Sequence, residues 1–453
     1  MSSTESQPSG TVPVEISDFA MPRDLGVGRW EGRVIFVPGA VPGDRVRAEL
    51  GRGGKAFIYG RMVGLESASP WRREPPCPHF GSCGGCSLLH FDYVQQLELK
   101  RRHLVETFRR VGGFKVDPTV VSPSTPSVDR FFYRGKIELA CRGRAGNAVL
   151  GLRKRVSPFE PYHGEVTPID SCAIFSRRLG EILPALREYM ARFDVPAFDE
   201  KLGRGFLKEI TVRESKSTGD MMLVFDTGRG ELPGAQSLIQ SVQRAEPSVK
   251  SICRLYNGRT ETLRGQGWIE ETVGELSFQI SPTVFFQPNP KTAHLLYEKV
   301  IEFARSFEAK GVMGLYCGMG TLEMTLSRSI EWVEGYDAEP ENIRNARRNC
   351  EINGIRNCRF HAKRVEEIDL QRVGRPFDLA VVDPPRTGMS KLALKSLVDL
   401  SVPAIAYVSC DPATLARDLN GLMAGGYRLI QVMPFDFFPH TSHLETLVFL
   451  QKK

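Results

Sequence analysis

Cys410 ends the apolar run AIAYVSC, directly before Asp411-Pro412 and the helical stretch ATLARDL. A thiol at the C-terminal end of a strand and beside a helix start is placed for nucleophilic work, and a helix N-terminus favours its thiolate. The alternative is an inert core cysteine. Near the C-terminus, HTSHLETLVFL sets His440, His443 and Glu445 just before a last apolar run. A carboxyl there has a raised pKa and can act as a base, unless it simply marks the solvated start of a strand. Asp383-Pro384-Pro385 ends another apolar run, LAVVDPP. An acid at that point is costly unless it binds something, and the prolines stop the strand.

Gly318-x-Gly320, in LYCGMGT, falls between a strand and a helix and allows close backbone approach to a nucleotide-like ligand. Asp337 ends the next strand, 17 residues beyond Gly320. An acid so placed can hydrogen-bond a ribose diol. The run GMGTLE lacks the third glycine of a dinucleotide fingerprint, which makes S-adenosylmethionine the better candidate ligand. Amino-group methyltransferases carry a related D-P-P followed by an aromatic residue, but here Arg386 follows. That departure disfavours methylation of an exocyclic amine.

Three of the ten cysteines, Cys77, Cys83 and Cys86, lie in CPHFGSCGGC. The C-x5-C-x2-C spacing, with Pro and Gly between, describes a tight loop that can aim several thiolates at zinc or an iron–sulfur cluster. A fourth ligand must come from elsewhere, and buried structural thiols are the alternative. The remaining cysteines are scattered, and with no secretory signal in MSSTESQPSG a disulfide framework is not expected.

The elements that must position these groups fall into three regions. The length of 453 residues suggests two to four domains. Short apolar runs broken by Gly and Pro near the start (VGRWEGRVIFVPG, DRVRAEL, AFIYGRMVGL) predict a small barrel of OB type. YVQQLELKRRHLVETFRRVGGF has helical spacing and closes on Gly112-Gly113. The middle of the chain mixes strands and helices as α+β. From about residue 281, apolar strands alternate with helices as in a parallel, doubly wound sheet. Ligands in such sheets bind at the C-terminal strand ends, where the residues singled out above sit. The net charge of +7 is mild. Between Arg130 and Arg155, however, eight Lys or Arg face one acid, behind Phe131, Phe132 and Tyr133. Basic residues mixed with aromatics suit RNA, although a solvated strand surface has the same look. No apolar run reaches 18 residues, so a cytoplasmic protein without a membrane span is expected. Nothing in the sequence calls for an obligate protein partner.

Taken together, CPHFGSCGGC, YRGKIEL, SPTVFFQPN, LYCGMGT, VVDPPR, YVSCDPATLARDL and DFFPHTSHLET, in this order, resemble the RNA uracil-5-methyltransferase family. The likeness is to the bacterial 23S ribosomal RNA type with a TRAM barrel and a 4Fe–4S cluster. It implies a multidomain α/β chain. Residues 1–10 would be a disordered N-terminus and 11–70 the OB-like TRAM barrel. Residues 71–280 would form a central α+β domain with the iron–sulfur loop, and 281–453 a Rossmann-like methyltransferase domain. It also implies Cys172 as fourth cluster ligand, Cys410 as nucleophile and Glu445 as the base at carbon 5. Gln287, Tyr316, Thr321, Asp337 and Asp383 match positions linked to S-adenosylmethionine, beside Gly318 and Gly320; Phe285 and Arg134 or Lys136 would meet the uracil. The expected reaction is methylation of a uridine in 23S rRNA. A tRNA uridine, or a catalytically weak iron–sulfur RNA-binding or assembly factor, is the alternative.

The sequence departs from that pattern at three places. Gly314 replaces the usual Asp, Arg364 a polar or acidic residue, and Asp337 the more usual Glu. Nucleophile and base are untouched, so an active enzyme with cofactor affinity as its weakest link is expected.

Overall fold

The computed structural model describes residues 10–21, 23–143, 146–162, 164–199, 202–368 and 375–453. The expected disorder of the N-terminus falls, for residues 1–9, outside the described residues. The chain forms two compact units. One comprises Met1–Lys100, Val149–Ile169 and Pro439–Ser442, the other Arg101–Ala148, Asp170–Phe438 and His443–Lys453. No described helix is long and apolar enough to cross a membrane.

In the first unit, β1 (Thr11–Ala20), β2 (Leu25–Trp30), β3 (Arg33–Pro38), β4 (Arg45–Gly53) and β5 (Phe57–Ser67) close into a barrel of order β1-β2-β3-β5-β4. Alternate residues point inward, so Val14, Ile16, Ile35, Val37, Val46, Ala48 and Ile58 fill its core. Asp44 is fully buried at its edge. Its carboxylate accepts from Val41 N (2.8 Å) and Ser69 N (3.0 Å) and pairs with Arg72 (2.6 Å), which ties the chain leaving β5 to the barrel. The cysteine loop follows, then α1 (Tyr93–Thr107). One π turn after α1, Gly113 takes a left-handed conformation (φ 71°) and its N–H caps Phe108 O.

The second unit takes up the chain at Arg101, within α1, and its first strand is β6 (Lys136–Arg142); the hairpin β7 (Val149–Arg153) and β8 (Val166–Pro168) belongs to the first. Then come α2 (Leu179–Arg192), β9 (Leu207–Glu214), β10 (Met221–Thr227), α3 (Ala235–Ala245), β11 (Val249–Tyr256) and β12 (Arg259–Arg264). Strands β12, β11, β10, β9 and β6 lie side by side in that order. A two-stranded ribbon, β13 (Ile269–Val273) with β14 (Leu276–Ile280), leads to α4 (Pro290–Ser306).

The remainder is a doubly wound sheet. Its elements are β15 (Gly311–Leu315), α5 (Thr321–Leu326), β16 (Trp332–Asp337), α6 (Pro340–Ile352), β17 (Cys358–Ala362), β18 (Leu379–Val382), α7 (Lys391–Leu400), β19 (Ala404–Ser409), α8 (Pro412–Ala424), β20 (Tyr427–Phe435) and β21 (Glu445–Lys452). The order is β17-β16-β15-β18-β19-β21-β20, parallel except for the antiparallel β21 inserted beside β19 and the β20 that pairs with it. The strands read as continuous apolar runs because both faces are covered. Val312, Leu379, Ala404 and Leu447 enter one core with α4, α5 and α6. Their neighbours Met313, Ala380, Ile405 and Val448 enter the other with α7, α8 and the end of α1.

Asp418 of α8, fully buried, fixes the loop after β18. It accepts from Met389 N (2.8 Å) and Tyr407 OH (2.6 Å) and pairs with Arg417 (2.8 Å), whose guanidinium also donates to Thr387 O and Met389 O. Replacing Asp418 by Ala strands two buried donors. Urea denaturation should show a loss of about 3 kcal/mol, and an unchanged midpoint would refute this role.

Candidate active site

The residues singled out on β18, β19 and β21 meet at one end of the sheet. Antiparallel pairing sets Ser409 opposite Thr446. Cys410 and Glu445 continue that register, one step beyond the strand end of β19. Asp383 follows β18, with its N–H donating to Leu315 O (3.2 Å). Glu445 is buried. Burial first, then the neighbouring Asp383, pushes its carboxyl well above the usual range, while Arg386 opposes the shift. Burial likewise pushes Asp383 up to about 7. The expected raised pKa at Glu445 is therefore found.

The expectation for Cys410 is corrected. A helix N-terminus was to favour its thiolate, yet the thiol is pushed up to about 11, by burial first and by Glu445 next. The cause is burial beside Glu445, and the first amides of α8 are already engaged. The Asp411 carboxylate accepts from Ala413 N (3.0 Å) and Thr414 N (2.8 Å), so these amides are taken by the cap. The group that favours the thiolate is Arg386, within hydrogen-bonding reach of the sulfur and beside His443 (3.2 Å).

The glycine loop after β15 is built for backbone approach. Tyr316, Gly318 and Gly320 all have positive φ (60°, 55° and 77°). A Cβ at Gly320 would lie 2.3 Å from the Phe360 ring, whereas one at Gly318 would meet nothing within 4 Å. Asp337 holds the loop, accepting from Gly318 N (3.0 Å) through one oxygen and from Glu339 N (2.9 Å) and Asn342 Nδ2 (3.1 Å) through the other. Thr321, buried, begins α5. A cavity of about 690 Å³ opens beside this loop, with Tyr316, Tyr336, Asp337, Arg364, Val365 and Pro385 in its wall. Its size suits a nucleoside-sized ligand.

Gln287 reaches the strand ends from the segment before α4, its Nε2 donating to Asp383 Oδ2 (3.4 Å). That segment is held by Arg213 of β9, a buried guanidinium that donates to Val284 O (2.5 Å) and Pro282 O (3.4 Å). Phe285, directly after Val284, is 61% exposed, an aromatic face open to solvent. Gly135 N donates to Pro288 O (2.7 Å) and brings Arg134 and Lys136 beside the same segment. Arg134 Nε donates to Lys136 O (2.8 Å), and Lys136 pairs with Glu138 (2.5 Å).

Cys77, Cys83 and Cys86 are partly exposed cysteines of the first unit; Cys172 is a buried cysteine of the second. The loop's donor chemistry suits a cluster, since Gly85 N donates to Cys83 Sγ (3.4 Å) as amides do toward cluster thiolates. The thiol groups are not gathered into a ligand set: among the described residues no three Cys, His, Asp or Glu side chains converge as a metal site.

Sequence reasoning gave Arg386 no role beyond a departure, and passed over Arg213, Tyr297 and Glu323. Tyr297 is buried and feels Asp383, Glu323 and Glu445. Arg213 and Glu323 read as ordinary polar positions of a strand and a helix, with no signal for burial. Arg386 follows two prolines, the one hint that its direction is fixed. Alkylation of Cys410 by iodoacetamide, followed on its peptide by mass spectrometry, should titrate near pH 11. Arg386→Ala should move the midpoint up and Glu445→Gln down; movement in the opposite sense would overturn this electrostatic account.

Comparison with known proteins agrees with this arrangement. The sequence profile described as tRNA (Uracil-5-)-methyltransferase matches residues 266–453. An uncharacterized RNA methyltransferase of Halalkalibacterium halodurans is 33% identical over 439 residues, covering 94% of each chain. One of Gloeobacter violaceus is 36% identical over 455 residues, covering 98% of this chain and 96% of the relative. Among solved structures, the tRNA (uracil-54, C5)-methyltransferase of Pyrococcus abyssi in complex with S-adenosyl-L-homocysteine superposes with a TM-score of 0.75. It is 30% identical and covers 97% of this chain and all of that one. With similarity of this extent over nearly its whole length, the chain belongs to the RNA uracil-5-methyltransferase family.

Proposed function

We propose that the protein transfers a methyl group from S-adenosylmethionine to carbon 5 of a uridine in 23S ribosomal RNA. The observation that carries this reading is the meeting of Cys410, Glu445 and Arg386 at the strand ends, beside the glycine loop and its cavity. Carbon 5 of uracil is a poor nucleophile. Addition of the Cys410 thiolate at carbon 6 turns the ring into an enolate, which gives carbon 5 the electron density to attack an electrophilic methyl. S-adenosylmethionine supplies that methyl on a sulfonium. Arg386 stabilises the thiolate before addition. Glu445 then takes the carbon 5 proton, the electron pair returns to the ring, and the carbon–sulfur bond breaks to free Cys410. Its raised basicity in a buried setting suits that step. All groups must converge on one ring, so the uridine is flipped from its stack, with the exposed Phe285 available to meet it. Asp337, Gly318 and Gly320 would hold the donor's adenosine end, and Gln287 with Asp383 its reactive end.

We also propose that the loop of Cys77, Cys83 and Cys86 holds a 4Fe–4S cluster, supported by thiol identity and by the amide donated to Cys83. No step passes through it. Loss of iron, sulfide and visible absorption in Cys83→Ser would support this assignment; iron-free wild-type protein from anaerobic expression would oppose it.

A second target has support. The archaeal protein that spans this chain's length is named for tRNA uracil-54, so the same layout accompanies a tRNA substrate. Anaerobically purified protein is therefore mixed with S-adenosylmethionine and 5-fluorouridine-substituted RNA, either a 23S fragment or tRNA. Fluorine blocks proton removal, so a covalent adduct should persist on a denaturing gel and vanish in Cys410→Ala, whose turnover should fall by about 10³-fold or more. An adduct with tRNA alone would move the target. No adduct with either would defeat the covalent mechanism.

A further inference from the structure

Gly314 stands in the interior of β15, where a glycine weakens a strand. Its reason is in space rather than in the turn. A Cβ there would lie 2.1 Å from Glu323 Oε1, 2.6 Å from its Cγ and 2.7 Å from its Cδ. The Glu323 side chain, from the first turn of α5, fills the volume that a residue at 314 would occupy. Glu323 is 3% exposed. Among the described residues its one hydrogen-bond donor is its own backbone amide, and the charges it feels are those of Asp383 and Asp337. Among the described residues it forms no ion pair. Burial pushes the carboxyl up to about 8. Without a counter-cation the buried carboxyl rests largely protonated near neutral pH, and a cation arriving from outside would draw off its proton and pair with it. Asp337 and Asp383, the acids it feels, border the glycine loop and the strand ends, where a cationic ligand is expected.

We infer that Glu323 is the residue that meets the positive charge at the methionine end of the methyl donor, its carboxylate delivered from α5 into the space that Gly314 leaves open. This rests on S-adenosylmethionine as the donor. It replaces the expectation that Gly314 weakens cofactor binding: a carboxylate is supplied to the end of β15 from the helix instead of from the strand.

Three probes separate the charges, all measured by calorimetry on the full-length protein. S-adenosylmethionine carries sulfonium and ammonium, S-adenosylhomocysteine the ammonium alone, and 5′-methylthioadenosine neither. Glu323→Gln keeps the shape and removes the charge. It should weaken S-adenosylmethionine by about tenfold, the usual worth of one charge-assisted contact, and leave 5′-methylthioadenosine unchanged. An equal loss for S-adenosylhomocysteine places the carboxylate at the ammonium, and no loss places it at the sulfonium. Gly314→Asp added to Glu323→Ala should restore donor affinity, because truncation makes room for the strand-borne acid. Gly314→Asp alone should destabilise the fold through the clash. Equal weakening of all three probes in Glu323→Gln, or no weakening, would overturn the inference, as would failure of the double variant to regain affinity while melting like wild type. If wild-type protein bound 5′-methylthioadenosine but not S-adenosylmethionine, the donor reading itself would fall.

Discussion

Asp383, Glu445 and Glu323 place carboxyl groups at one end of an apolar sheet, where each is costly, and much of the second unit is arranged around that cost. Burial raises all three above the ordinary carboxylate range. Among the described residues one guanidinium, Arg386, faces Glu445, and none pairs with Glu323. Such a site is held at the expense of stability and becomes favourable when positive charge enters. A sulfonium donor and an RNA base that acquires negative charge at its ring are suited to a place where acids and one fixed cation lie side by side.

The acids are kept in place by backbone geometry and by donors distributed over several elements. The β19–β21 register brings Cys410 level with Glu445. Asp337 keeps the glycine loop against β16 through Gly318 N, and Arg213 holds the Gln287 segment from a different sheet. Asp418 closes the other side by joining α8, β19 and the loop after β18. Asp418 is fully buried with both carboxylate oxygens engaged, the condition under which such a group rigidifies a site.

Family resemblance and local geometry both single out Cys410 and Glu445, which the β19–β21 register brings level, and they part at Gly314. Gly314 reads, in the sequence, as the loss of an acid. In the fold it is the vacancy that Glu323 fills. The same change is a deficit when positions are compared one by one, and an exchange when volumes are compared.

Much of this was legible in the sequence because it rests on local rules. The closed barrel, the glycine turn and the alternation of apolar strands with helices follow from short-range pattern and turn chemistry, and Cys410, Asp383 and Glu445 stood out because polar residues at the ends of apolar runs are conspicuous. Three things were decided only by the tertiary structure. The thiol's pKa was misjudged because sequence shows that Cys410 precedes a helix but not that it is buried beside Glu445. Arg386 and Arg213 gained their positions from contacts with residues dozens of positions away. The pairing of Gly314 with Glu323 depends on the angle at which α5 packs over β15. Periodicity tells which face of an element is apolar, but the distance between two side chains on different elements is set by packing, and the charge chemistry of this site depends on those distances.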